Sequence, residues 1–296
     1  MTASILVVIA VVLRIVSNPL GNVFQKQLTA KGIHPLVVNF TTYFLLSLCC
    51  LFFAAFIDRP SLGRDFWTWS VLGGMVGTVG NGFLVKALET GDLSVLGPIN
   101  SYKAVVGMVF GVTLLAEIPN IWGILGVITI IYGSYFVLDT TEEKFSWALL
   151  KRRDIQFRIG AMVLTAIEAV FVKKLILVSS TTIAFVSWCV TGAFFSFLLL
   201  LISRPGITEG FGKAFEGHNL KRYLLLVLCV GIMQFATNYS FDHMPVGYAL
   251  SLFQLSTIVS ILLGYRFFQE KDIAKKTMGS VIMVAGSVLI ILLKDK

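Results

Sequence analysis

Ten apolar stretches, each close to the length of a membrane-spanning helix, fill this chain almost from end to end. They run roughly over 3–27, 34–57, 66–88, 93–115, 120–138, 157–178, 180–203, 220–242, 246–268 and 274–293. The hydrocarbon layer of a bilayer takes about 20 such residues to cross as a helix. With 56% hydrophobic residues, 14% charged ones and a mean hydropathy of +0.86, the 296 residues lack the polar surface that a water-soluble globule would need. The pattern predicts an all-α membrane protein with ten transmembrane helices and almost no sequence left for a soluble domain. The first stretch has neither a basic start nor a small-residue cleavage site, so it reads as a retained span rather than a removable leader.

One segment occurs twice. At an offset of 153 residues, Gly111, Glu117, Gly126, Gly133 and Ser134 fall on Gly264, Glu270, Gly279, Gly286 and Ser287 without a gap. Nearer the start of each half, Phe24-Gln25-Lys26-Gln27-Leu28 answers Phe171-Val172-Lys173-Lys174-Leu175 at an offset of 147. The polar segment 139–156 separates the copies, giving one five-helix repeat over 1–138, a connecting loop, and a second over 157–296. Because five is odd, the second copy enters the membrane from the opposite side, as in the inverted repeats of secondary transporters. Both termini then share a face. Six basic residues (Arg59, Arg64, Lys173, Lys174, Lys294, Lys296) fall on that face against fifteen on the other, Lys26, Arg158 and Lys276 among them. The positive-inside rule on this count places the termini outside.

Several functions are disfavoured by what the chain lacks. There is no C-x-x-C, H-E-x-x-H or G-x-S-x-G sequence, and His34, His218 and His243 have no ligand spacing, so neither a catalytic set nor a metal site is expected. No nucleotide-binding sequence is present, which argues against direct ATP drive, and no cofactor is expected. The four cysteines lie in apolar runs and read as small packing residues. The net charge of +8 gathers in loops, notably at Lys151, Arg152 and Arg153, where attraction to anionic lipid explains it better than nucleic acid does.

Around the duplicated segment the chain resembles the drug/metabolite transporter superfamily, specifically its EamA-type ten-helix members. The residues carrying the resemblance are Ala87-Leu88, Pro98, Ala116-Glu117, Gly126 and Gly133 in the first half, and Pro245, Gly264, Glu270, Gly279 and Gly286 in the second. It departs at Ala116 and Gln269, where glycine is usual before the glutamate. The resemblance implies a transporter with a central cavity formed mainly by helices other than the fifth and tenth. It implies cytoplasmic termini, against the charge count, and leaves the substrate open among amino acids, sugars, nucleotide precursors, phosphorylated metabolites and drugs. The two glutamates stand at helix exits, where each is expected to cap the helix that follows it, near Asn120 and Ile273.

Ionisable residues deep in a span are costly and mark function by default. Arg14, Lys103 and Glu168 lie near the middle of the first, fourth and sixth stretches. Lys103 closes the polar run Pro98-Ile99-Asn100-Ser101-Tyr102, behind a proline that removes a helix hydrogen bond. Its repeat mate is Ser256, so the cation belongs to one half only. The expected substrate-binding residues are Arg14, Asn100, Tyr102, Lys103 and Gln254, with Asn81 and its mate Gln234 contributing neutral contacts. Glu168 is a candidate for proton coupling or for a buried ion pair with Arg14 or Lys103. The reading is a secondary transporter in a plasma membrane, or the inner membrane of a bacterium, whose partners are a zwitterionic or anionic metabolite and membrane lipid. A multidrug exporter and a lipid-carrier flippase are the alternatives, the latter needing a lateral opening to lipid.

Overall fold

The computed structural model describes residues 2–53, 62–103, 105–106, 120–141, 147–203, 217–244 and 246–292. The described residues are helical, with no strand, as a lipid-facing backbone requires. In chain order the helices are α1 (Thr2–Thr29), α2 (Pro35–Phe53), α3 (Arg64–Thr90), α4 (Leu93–Ile99), α5 (Ile121–Leu138) and α6 (Trp147–Leu150). There follow α7 (Arg153–Leu177), α8 (Thr181–Ser203), α9 (Gly217–His243), α10 (Val246–Phe253), α11 (Ser256–Phe268) and α12 (Ile273–Leu292).

Among the described residues, five helical segments are long and apolar enough to cross a bilayer: Ile5–Thr29, Arg64–Thr90, Ile121–Leu138, Thr181–Ser203 and Asn219–His243. Two of the expected continuous spans are broken. The fourth passes from α4 into a 3₁₀ turn over Asn100–Tyr102, and the ninth is divided at Gln254–Leu255 into α10 and α11. The breaks are equivalent in the repeat, since Ser101 and Gln254 are 153 residues apart. In α4 the cause is local: Pro98 has no amide to donate, and the backbone amides that end the helix bond back to Gly97 O and Pro98 O. The segment read as a connecting loop is partly helical, because it contains α6 and α7 starts at Arg153.

The most extensive packings join helices of different halves: α5 with α12, α3 with α7, α1 with α9, α2 with α8, α3 with α8 and α4 with α11. Glycines set the α5–α12 crossing. A Cβ on Gly133 would stand 2.7 Å from Gly279 O, and one on Gly286 would stand 2.7 Å from Gly126 O. Since 126 pairs with 286 and 133 with 279, these helices run antiparallel. Helix α4 crosses α11 in the same sense, with Ser94 against Gly264 and Gly97 against Ser260. Tyr43, Trp188, Leu28, Tyr223 and Phe241 anchor the largest core, drawn from both halves. The outward faces are apolar too, with Ile5, Val8, Ile128, Phe194 and Leu228 exposed to what would be lipid.

Candidate functional site

A cavity of about 120 Å³ lies where α1, α3, α7 and α9 converge, closed further by α2, α8, α10 and the 3₁₀ turn. No lining residue comes from α5 or α12. Helix α1 presents Arg14, Ser17, Asn18, Asn22 and Gln25, a polar stripe at three- and four-residue spacing. Helix α7 presents Arg158, Ala161, Thr165, Glu168 and Val172, spaced the same way.

The 3₁₀ turn decides which residues of the Pro98–Lys103 run reach the cavity. At three residues per turn, positions i and i+3 eclipse, so Asn100 and Lys103 share the cavity side. Tyr102 is turned away, and its hydroxyl donates to Ser134 Oγ on α5 at 2.7 Å. Gln254 also stands off the wall: it is buried at the break between α10 and α11, its Oε1 without a hydrogen-bond partner among the described residues, while Leu250 and Phe253 line the cavity from that segment. Asn81 and Gln234 are both in the wall. Asn81 donates to Asn39 Oδ1 at 2.5 Å, and Gln234 pairs with Asn238 one turn along α9.

Arg14 and Glu168 are held by neutral partners. Arg14 donates from Nε to Thr237 Oγ1 at 3.0 Å, its guanidinium 4.8 Å above the Phe253 ring, and its buried Nη1 is unpartnered among the described residues. Glu168 accepts a 2.7 Å hydrogen bond from Trp188 Nε1 and packs on Gly77 of α3, where a Cβ would collide with the carboxylate. The expected ion pair between Glu168 and Arg14 or Lys103 is not formed among the described residues. Trp188, on the neighbouring α8, bonds Glu168 Oε1, and Thr237 and Phe253 hold Arg14 on the α9–α10 side.

Arg158 is the cationic wall residue that the sequence reading placed among loop charges. It is 6% exposed and lies more than a turn inside α7. Its Nε donates to Leu96 O at 2.6 Å and its Nη2 to Asn100 Oδ1 at 3.0 Å. The 3₁₀ break leaves Leu96 O without its α-helical donor, and a guanidinium from the other half supplies one. The three-and-four spacing from Arg158 to Glu168 was the available signal, hidden by starting the helix at 157. Trp188 is a wall residue whose apolar surroundings gave no sign of it; its ring lies 4.7 Å from that of Tyr43, which also lines the cavity.

Glu270 corrects another expectation. It caps α4, not the following α12: Oε1 accepts from Leu93 N and Oε2 from Ser94 N, both at 2.8 Å, with Lys26 Nζ 3.2 Å away. Lys26 also donates to Gly91 O at 2.8 Å, and Lys276 to Ser94 Oγ at 2.8 Å, so these two loop-counted lysines lie inside the bundle. Glu117 lies outside the described residues, and Asn120 caps α5 itself by accepting from Gly123 N at 2.9 Å.

The model of the EamA-like transporter family matches residues 4–139 and again residues 154–292. The chain belongs to the EamA-like transporter family. This EamA-like chain is a membrane protein of the drug/metabolite transporter type, and its two matched stretches are the two halves whose helices pair across the cavity. A solved crystal structure aligns over 99% of this chain and 98% of its own with a TM-score of 0.68 at 14% identity, a likeness of fold alone. No curated protein matches in sequence.

Proposed function

We propose that this protein is a secondary transporter of ten spans, built as two inverted five-helix repeats over about 1–138 and 157–296, with 139–156 as the connection. It moves a small anionic or zwitterionic metabolite by alternating access in a plasma membrane, or in the inner membrane of a bacterium. The observation that carries this reading is the polar cavity between the halves, walled by Arg14, Asn81, Asn100, Lys103, Gln234 and Glu168. Ionisable side chains at such depth are expensive unless they serve a solute or ion path. The antiparallel α5–α12 and α4–α11 crossings support inversion, because equivalent helices of a parallel repeat would run the same way. Glu168 is the group we assign to proton coupling, being the carboxylate in the wall. A multidrug exporter would have less use for so charged a wall.

The test is solute counterflow in proteoliposomes holding the purified chain, with and without a pH gradient. Transport that saturates and is lost in Lys103→Ala supports the reading, as does its dependence on the gradient and on Glu168 for the coupling. A protein that moves no solute across a broad panel of metabolites, while remaining folded, would sink it.

A further inference from the structure

Resting on that reading of the cavity, we propose that the transported substrate carries two negative charges on one small skeleton, as a short dicarboxylate or a phosphate monoester does, and is not a zwitterion. Arg14, Lys103 and Arg158 face the same space from α1, the 3₁₀ turn and α7, against the single carboxylate of Glu168. None of the three cations is ion-paired among the described residues. Arg14 and Arg158 are steadied by a hydroxyl, a ring, a backbone carbonyl and a side-chain amide, partners that orient a guanidinium without cancelling its charge. Arg14 Nη1 is buried and has no hydrogen-bond partner among the described residues, so this guanidinium keeps unused donor capacity beside the cavity that Arg14 lines.

Charge in a water-poor interior must be compensated. A zwitterion adds no net charge, and its ammonium would face three cations with Glu168, whose Oε1 already accepts from Trp188, as its one acidic partner among the described lining residues. A monoanion leaves an excess cation, whereas two negative charges balance three cations and one carboxylate. The guanidinium fork also matches carboxylate and phosphoryl oxygens equally well, in a geometry that an ammonium cannot reproduce. Arg158 gives this site a one-sided character: the matching position at the 147-residue offset is Val11, and Ala161 answers Arg14.

The experiment uses the full chain in lipid nanodiscs and in proteoliposomes with matched probes: succinate against succinamate, glycerol 3-phosphate against glycerol, and serine as the zwitterion. At least one dianion should bind ~10-fold or more tightly than its partner of lower charge and than serine. Lys103→Met, which strands no bonded group, should weaken that dianion ~10-fold, while Glu168→Gln should strengthen it by removing a repelling carboxylate. Arg158→Lys keeps a donor near Leu96 O and should weaken binding through loss of the fork. Serine or succinamate binding as tightly as the dianions, or neither dianion binding, overturns the proposal. Tight dianion binding without uptake would uphold the cavity's preference for two negative charges and overturn the transport reading instead, and the two dianions separately decide between carboxylate and phosphate.

Discussion

Glu270 is buried, its side chain 4% exposed, and it ties three parts of the chain at one carboxylate: the end of α1 through Lys26, the start of α4 through two amides, and its own turn. Burial pushes its carboxyl up, but the Ser94 hydrogen bond, the Lys26 charge and the Leu93 and Ser94 amides outweigh burial and hold it below the usual carboxylate range. The stabilisation is therefore complete above the ordinary carboxylate pKa and is lost as pH falls through the lowered one. Glu270→Ala should cost about 3–5 kcal/mol by leaving Lys26 and two amides uncompensated. Thermal denaturation in detergent across acid pH should show the wild type losing stability on acidification and approaching Glu270→Gln, which has no carboxyl to protonate. The neighbouring Gln269 sits at φ 55°, where an L side chain is strained. This accounts for the glycine usual there in the family, and Gln269→Gly should raise stability by about 1 kcal/mol in the same assay.

At the scale of elements, helices approach closely only where a side chain is missing. Gly133 and Gly286 let α5 and α12 touch backbone to backbone, while a Cβ on Gly63 would meet nothing within 4 Å. Gly133→Val should therefore cost about 1–3 kcal/mol by overpacking, whereas Gly63→Ala, which meets no neighbour and gives up only a favoured N-cap residue, should cost less than about 1 kcal/mol. Equal tolerance at the two sites would mean that the crossing is looser than these contacts imply. The breaks in the fourth and ninth stretches belong to this scale as well. Pro98 made the first visible in the sequence. The second, at Gln254–Leu255, has no proline within it and carried no such mark.

For the whole molecule, inversion makes equivalent positions emerge on opposite membrane faces. Lys31, after α1, and Val178, after α7, are equivalent at the 147-residue offset, and both are exposed. In sealed vesicles of one orientation, Lys31→Cys and Val178→Cys should react with a membrane-impermeant thiol reagent from opposite sides. Labelling of both from one side would refute inversion. The same experiment tells which face carries the termini, where charge counting and family resemblance disagree. That count was weakened by its own assumption, since Lys26, Arg158 and Lys276 act inside the bundle and are not loop charges.

The sequence by itself determined the solvent, the helical class, the duplication and the family, because each is written in composition or in spacing along one chain. It also placed Arg14, Lys103 and Glu168 within apolar stretches, since position along a stretch is a matter of counting. Direction was not countable. Whether Asn100 or Tyr102 met the cavity depended on a three-residue turn, which rotated Tyr102 onto Ser134. Whether Glu168 met Arg14 or Trp188, and whether Glu270 capped α12 or α4, depended on helices far apart in sequence being brought side by side. A carboxylate bonds the nearest adequate donor in space, and only the packed bundle fixed which donor that was.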